Sequence, residues 1–211
     1  ACGGFLTRIY RVTDDCGNQT DVSQKIYVDD TIAPVVDPLS NINVECIADV
    51  PDPDTLLVNA TDNCDNNLDV SWIDDTPQTV ECVTTISRVY RVTDDCGNET
   101  DVTQTIIVED ITNPTVSVPA DELIECDLPT DYVVTADDNC DATPDITLEV
   151  FGNPLTYTFD ETGNGTFTIT LHETTSVVVA ATATDDCGND SETKLIEFTS
   201  ECSDFCEEGK P

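Results

Sequence analysis

Basic side chains are scarce in this chain. Seven Lys and Arg stand against 44 Asp and Glu, a formal net charge of −37. Nucleic-acid phosphates are held by Lys and Arg, so this balance argues against a nucleic-acid partner. It also opposes adsorption to an anionic lipid surface and favours cations, or solubility in salt. Methionine is absent, and there is one histidine, His172, and one tryptophan, Trp72. No two cysteines are spaced CxxC, so the usual zinc-knuckle spacing is missing. No apolar run is long enough to span a bilayer. No apolar segment carries a 3.6-residue period, which argues against amphipathic helices. A nucleophile motif, a phosphate-binding glycine loop and HExxH are all lacking. His172 has no Ser or Cys partner suggested by the sequence and is expected on a strand surface, so the chain is not expected to be an enzyme.

Cysteine, by contrast, is plentiful. Eleven of them, with so little histidine, point to disulfides in an oxidising, extracellular setting. They sit in repeated strings. "VTDDCGNQTDV" (12–22) returns as "VTDDCGNETDV" (92–102) and as "ATDDCGNDSET" (183–193). "YVDDTIAPVV" (27–36) returns as "IVEDITNPTV" (107–116), and "ATDNCDNNLDV" (60–70) as "ADDNCDATPDI" (136–146). Cys16 and Cys96 lie 80 residues apart, as do Cys46 and Cys126. That period is too long for a solenoid coil and fits tandem small domains, each with its own core. Boundaries are expected where a proline follows an acidic stretch, near Ala33–Pro34 and Asn113–Pro114. The expected parts are an incomplete domain (1–33), a complete one (34–113), a variant (114–200) and a tail or the start of another unit (201–211).

Within a repeat the pattern is β. Val89 and Arg91 alternate with Tyr90 and Val92, and Thr, Val and Ile runs are punctuated by Asp, Asn, Gly and Pro. The fold class expected is all-β, with tandem immunoglobulin-like β-sandwich domains in a linear array. In 36–110 the strands are expected near 41–46 (A), 55–61 (B), 68–73 (C), 78–82 (E), 84–93 (F) and 100–108 (G). Trp72 on strand C is expected in the core. Arg8 and Arg11, repeated as Arg88 and Arg91, are expected to form plain surface pairs with acidic neighbours.

The string "NVEC…ATDNCD…YRVTDDCGNETDVTQTIIVEDITNP" resembles the tandem HYR-like, immunoglobulin-like repeats of very large secreted surface proteins, frequent among adhesins and fibre-forming proteins of Bacteroidota. The resemblance covers about residues 5–200 and is clearest in 36–116. It implies a secreted or cell-surface repeat array acting as a stalk or adhesive filament, whose partners are further repeats or copies of the same protein and an unidentified adhesive target. Residues 150–175 depart from it: they are longer and have Glu173 where Cys82 would recur. The alternative reading is a carbohydrate- or ligand-binding accessory module of a secreted enzyme.

An immunoglobulin-like order constrains the cysteines. Cys82 and Cys96 flank strand F, whose ten or so residues span about 33 Å, against a limit of about 7 Å between disulfide-bonded Cα atoms. The expected pairs are Cys46–Cys82, Cys64–Cys96 and Cys140–Cys187, with Cys126 reaching Cys202 or Cys206. Cys2 and Cys16 match Cys82 and Cys96, but residues 1–30 hold only strands F and G, and a lone hairpin is marginal in water.

The same order gathers the acidic loops at one end of each domain. Asp29 and Asp30 are expected to approach Asp62, Asn63, Asp65, Asp94, Asp95 and Asn98. Glu109 and Asp110 are expected to approach Asp137, Asp138, Asn139, Asp141, Asp185, Asp186 and Asn189. Hard oxygen donors in such clusters suit Ca²⁺. Without a cation they also serve as Asp-Asn-Gly turns.

Overall fold

A computed structural model describes residues 3–202; residues 1–2 and 203–211, with Cys2 and Cys206, lie outside the described residues. Among the described residues the fold is all-β apart from two short 3-10 turns, and the chain divides into two compact units. The first comprises residues 1–44 and 49–108, the second 45–48 and 109–211.

The first unit opens with a hairpin, β1 (Gly4–Thr13) and β2 (Gln19–Val28), which form a sheet of their own. Then come β3 (Val35–Val36), β4 (Ile42–Val44), β5 (Ala60–Thr61), β6 (Asp69–Val80), β7 (Val83–Thr93) and β8 (Glu99–Glu109). One sheet has the order β4-β8-β7-β6, and β3 pairs with β5 in a small second layer. Alternation sets the inward face: Ile86, Arg88, Tyr90 and Val92 from β7 are buried, as are Gln104, Ile106 and Val108 from β8. The core is divided and small. Val58, Tyr90 and Val92 form one buried cluster, and Ile86, Ile106 and Val108 another.

The separate strands expected near 68–73 and 78–82 are one continuous strand, β6, turning directly into β7 with Val80 opposite Val83. A register shift between Trp72 and Asp74 keeps that long edge strand in step. Trp72 is not a core residue: it is 47% exposed. It lies opposite Tyr90 at the edge of the sheet, and the small second layer is too narrow to cover it. Its indole N–H donates to Asp75 Oδ1 at 3.0 Å.

The second unit is more complete. Its strands are β9 (Thr115–Ser117), β10 (Glu122–Ile124), β11 (Thr130–Val133), β12 (Thr135–Asp137), β13 (Asp145–Phe151), β14 (Tyr157–Gly163), β15 (Thr166–Leu171), β16 (Ser176–Thr184) and β17 (Lys194–Ser200). The sheet β10-β17-β16-β13 repeats the order of β4-β8-β7-β6, including a parallel first pair. Facing it is β11-β15-β14. The segment that departs from the repeat at 150–175 supplies β14 and β15, the hairpin that widens this second layer. One continuous core results, with Phe167, Ile169, Leu171, Val177, Val179, Ile196 and Phe198 fully buried. Tyr132 and Phe198 meet at 4.5 Å between ring centres.

One glycine is indispensable to this hairpin. Gly165 has φ +69, and a Cβ there would lie 2.4 Å from the Val134 carbonyl oxygen. Gly165→Ala combines left-handed strain with overpacking, and a loss of about 2–4 kcal/mol is expected in urea unfolding.

Arg88 differs from the surface pair expected of it. It is 2% exposed and bidentate on Asp75, Nε to Oδ1 at 2.9 Å and Nη2 to Oδ2 at 2.8 Å, while Nη1 donates to the Pro51 carbonyl at 2.8 Å. Arg91 and Arg11 do form exposed cross-strand pairs, with Asp101 and Asp21. Hydrogen bonding to Arg88 holds the Asp75 carboxyl below its ordinary range. A depressed folded value contributes stability that is complete above the unfolded carboxylate value, about 3.9, and is lost as pH falls through the lower folded value. Arg88→Met is expected to cost about 3 kcal/mol at neutral pH. The stability difference between wild type and Asp75→Asn is expected to shrink progressively as unfolding is measured below about pH 4.

Candidate functional site

The repeated string TDDCGN is the turn between β7 and β8, and its counterparts close β1–β2 and β16–β17. The Asp94 carbonyl accepts from Gly97 N, and Asp94 N donates to the Asn98 carbonyl. Asp94 Oδ1 accepts from the N–H groups of Cys96 and Asn98, each at 2.8 Å, and Oδ2 accepts from the Asn98 amide at 2.7 Å. Asp14 and Asp185 repeat this set with Cys16 and Asn18, and with Cys187 and Asn189. Gly17, Gly97 and Gly188 all have φ between +83 and +86, as this tight turn requires. Burial pushes the Asp94 and Asp185 carboxyls upward, but the amide donations outweigh it and hold both below their ordinary range.

The string DNCD is built the same way. Asp62 Oδ1 accepts from Cys64 N and Asp65 N, and Asp138 Oδ2 accepts from Cys140 N and Asp141 N. Asp65 Oδ2 then accepts from Asp95 N at 2.8 Å, and Asp141 Oδ2 from Asp186 N at 3.2 Å. The two loops at each domain end are thus joined by a carboxylate on a backbone amide. The acidic linkers are tied in too: the Asn98 amide donates to the Asp30 carbonyl and the Asn189 amide to the Asp110 carbonyl, both at 3.2 Å.

These bonds divide the predicted residues. Asp65, Asp141, Asn98 and Asn189 hold the loops. Asn63 donates to Cys64 Sγ, and Asn139 to Glu45 and Cys140 Sγ. Asp29, Glu109 and Asp137 are exposed and outside the carboxylate clusters; Asp95 and Asp186 contribute backbone donors. Asp30, Asp62 and Asp94 come together, each offering an oxygen within 4.8 Å of the others. In the second unit Asp110 and Asp138 come together with Cys140, whose sulfur is in a disulfide and is no thiolate ligand. Asp185, the counterpart of Asp94, acts on Asp110 through its charge. Burial, then the charges of Asp138, Asp185 and Glu45, push the Asp110 carboxyl above its ordinary range.

In both clusters one oxygen of the corresponding aspartate is buried without a hydrogen-bond partner among the described residues: Asp62 Oδ2 and Asp138 Oδ1. A buried, unpaired carboxylate oxygen is costly. The donor set is all hard oxygen, which fits Ca²⁺. Glu45, which accepts from the Asn139 amide and acts on Asp110 through its charge, is a neighbour of the cluster that sequence reasoning missed. Its signal was available, because "VEC" at 44–46 recurs as "IEC" at 124–126.

The disulfides differ from the expected pattern. Cys46 is bonded to Cys140, not Cys82, with Cα atoms 5.2 Å apart. Cys46 follows β4, at one edge of the sheet, whereas Cys82 sits in the β6–β7 turn near the other edge. Two to three strand spacings, about 12 Å, separate those positions, too far for a disulfide. Cys46 therefore continues past the end of β8, the parallel partner of β4, to its disulfide with Cys140. This also removes the expected Cys140–Cys187 pair. Cys64–Cys96 does not form either: Cys64 has a free thiol and Cys96 is disulfide-bonded elsewhere. The Asp65–Asp95 contact joins the loops in its place. Cys82 and Cys187 are also disulfide-bonded. Cys126 is bonded to Cys202, where the parallel strands β10 and β17 finish side by side. His172 Nδ1 lies 2.8 Å from Asp127 Oδ1, an exposed pair.

The architecture defines a class first: immunoglobulin-like β-sandwich domains. Residues 34–108, with Cys46, Cys64, Cys82 and Cys96, match the sequence profile of a family described as HYR-like domain with 4 cysteines. No curated protein sequence matches the chain. Similar solved structures include EC1-3 of Drosophila N-cadherin, 14% identical over 79% of this chain and 65% of that one, with TM-score 0.47. The protocadherin GammaB4 extracellular domain is 13% identical over 96% of this chain and 43% of that one, with TM-score 0.42. The fibronectin(III)-like modules of CbhA from Clostridium thermocellum are 14% identical over 84% and 99%, with TM-score 0.36. This chain thus spans less than two thirds of either cadherin chain.

The loop chemistry is testable without any ligand. Asp94→Ala removes the acceptor for the Cys96 and Asn98 amides. Both should exchange hydrogen faster by on the order of tenfold, with the amides of β15–β17 unchanged.

Proposed function

We propose that the chain is a structural segment of an extracellular repeat array, a stalk or filament of a secreted or cell-surface adhesin-type protein. Disulfides and Ca²⁺ bound at the acidic domain ends would stiffen it. Its neighbours would be further repeats of the same protein, with the adhesive target carried elsewhere.

The observation that supports this reading is the pair of oxygens, Asp62 Oδ2 and Asp138 Oδ1, buried without a hydrogen-bond partner among the described residues, Asp62 being grouped with Asp30 and Asp94 and Asp138 with Asp110. Loop geometry alone needs only the other oxygen of each aspartate. Asp30, Asp62 and Asp94 would hold one ion, and Asp110, Asp138 and Asp185 another. The bound cation offsets the repulsion among carboxylates a few ångströms apart. The chain's own part is to present those carboxylates already fixed: Asn98 and Asn189 anchor the linkers, and Asp65 and Asp141 lock the loops. Such a site holds its domain end in one arrangement, which is what a spacer under tension requires. An aromatic platform for glycans has less support, because the half-exposed Trp72 is already engaged with Asp75.

Thermal unfolding in Ca²⁺ against chelator tests the proposal. At a hundredfold excess over Kd, Ca²⁺ should add about 2.7 kcal/mol for each ion bound. The Asp62→Asn, Asp138→Asn double variant should lose that increment. Superimposable melts of the wild-type chain in Ca²⁺ and in EDTA would contradict it.

A further inference from the structure

The hairpin β1–β2 repeats β7–β8 residue for residue, yet its burial is the opposite. Tyr90 is 0% exposed and its counterpart Tyr10 is 49% exposed; Val92 is 0% and Val12 60%; Val108 is 7% and Val28 62%. Leu6, counterpart of buried Ile86, is exposed as well. In the β7–β8 copy this face is covered by residues 36–70: Val36, Leu39, Val58, Ala60, Leu68 and Val70 pack on Tyr90 and Val92. Arg8 makes the same point by charge. Its counterpart Arg88 is buried on Asp75 of β6 and on the Pro51 carbonyl, while Arg8 is exposed. The exposed face therefore has the complement of a defined partner, namely a segment patterned like residues 34–80.

Cys64 points to the same partner independently. It is the counterpart of Cys140, which is bonded to Cys46 from one repeat earlier in the sequence. Cys64 is free and exposed. It lines a cleft of about 170 Å³ with Gly3, Gly4, Val28, Asp30 and Asp65. In the second unit the corresponding neighbours, Asn139 and Cys140, are engaged by Glu45 and Cys46. Cys46 arrives there because β4 runs parallel to β8 at Ile106–Val108. The counterparts of those residues in the hairpin are Ile26–Val28, which lead directly to Asp29, Asp30 and the cleft beside Cys64.

We infer that β1–β2 is the last hairpin of a repeat whose earlier strands come from a segment patterned like residues 34–80, carried N-terminally on the same polypeptide. The Cys46-equivalent of that segment forms a disulfide with Cys64. The two thiols lose two protons and two electrons to a disulfide oxidant, which is reduced to its dithiol, as for Cys46–Cys140. Each repeat is thereby bonded to the loop of the next. The inference rests on the internal repeat and not on cation binding, so the absence of Ca²⁺ binding would leave it standing.

The test uses the full chain extended by a copy of its own residues 34–80 ahead of Ala1, with the copy's Cys64 changed to Ser. In the unextended chain, Cys64 should react with iodoacetamide and the amides of 6–12 should exchange quickly. In the extended chain, Cys64 should be protected, an unreduced peptide should link it to the copy's cysteine, and exchange at 6–12 should slow by at least tenfold. Changing the copy's Cys46 to Ser should restore labelling of Cys64 while keeping slow exchange, which separates packing from the bond. Unchanged labelling and unchanged exchange in the extended chain would overturn the inference. So would a dimer of the unextended chain in which Cys64 is blocked.

Discussion

Carboxylates on backbone amides govern the ends of these domains. Asp94 and Asp185 each accept two N–H groups and a side-chain amide, and Asp65 and Asp141 each bridge one loop to the next. A surface this acidic repels itself unless its charges are given fixed partners. Here the partners are main-chain donors of the loops themselves. One oxygen each of Asp62 and Asp138 is left buried with no hydrogen-bond partner among the described residues. The cation proposal follows from this leftover and not from acidity, which is background throughout the chain.

The two units reach cohesion by different means. The second closes a full sandwich around Phe167, Phe198 and their neighbours. The first has only two small buried clusters, because β6 runs straight into β7 and no hairpin equivalent to β14–β15 widens its second layer. A small core leaves little margin over chain entropy. Arg88 fits the same picture. A buried guanidinium satisfied by Asp75 and Pro51 fills space that a larger apolar layer would otherwise occupy.

Much of this was legible in the residues. Alternation in SRVYRVTDD marked the inward face of β7, and the three TDDCGN strings marked three hairpin turns. The gathering of Asp30, Asp62 and Asp94 followed from placing those turns at one end of an immunoglobulin-like domain. Of the disulfides, Cys126–Cys202 was legible as one of two options for Cys126, whereas Cys46–Cys140 was not, for a geometric reason. Which cysteines share an end of a domain can be read from strand order, but lateral position across the sheet cannot. Cys46 and Cys82 share an end and still stand at opposite edges. Trp72 misled for a related reason. Its strand and face were readable, whereas the width of the layer above it depends on a hairpin the first unit lacks. The segment 150–175, which looked like an irregularity, is that hairpin in the second unit.

The central claim is that the first unit, whose core is small, depends on its aspartate-bonded turn, and the second on its core. Hydrogen exchange read strand by strand in the wild type and in the Asp94→Ala, Asp185→Ala double variant tests this most directly, because the two substitutions make the same lesion in both units. Protection in β7 and β8 should fall while β15, β16 and β17 keep theirs. Full protection retained in β7 and β8 would contradict it.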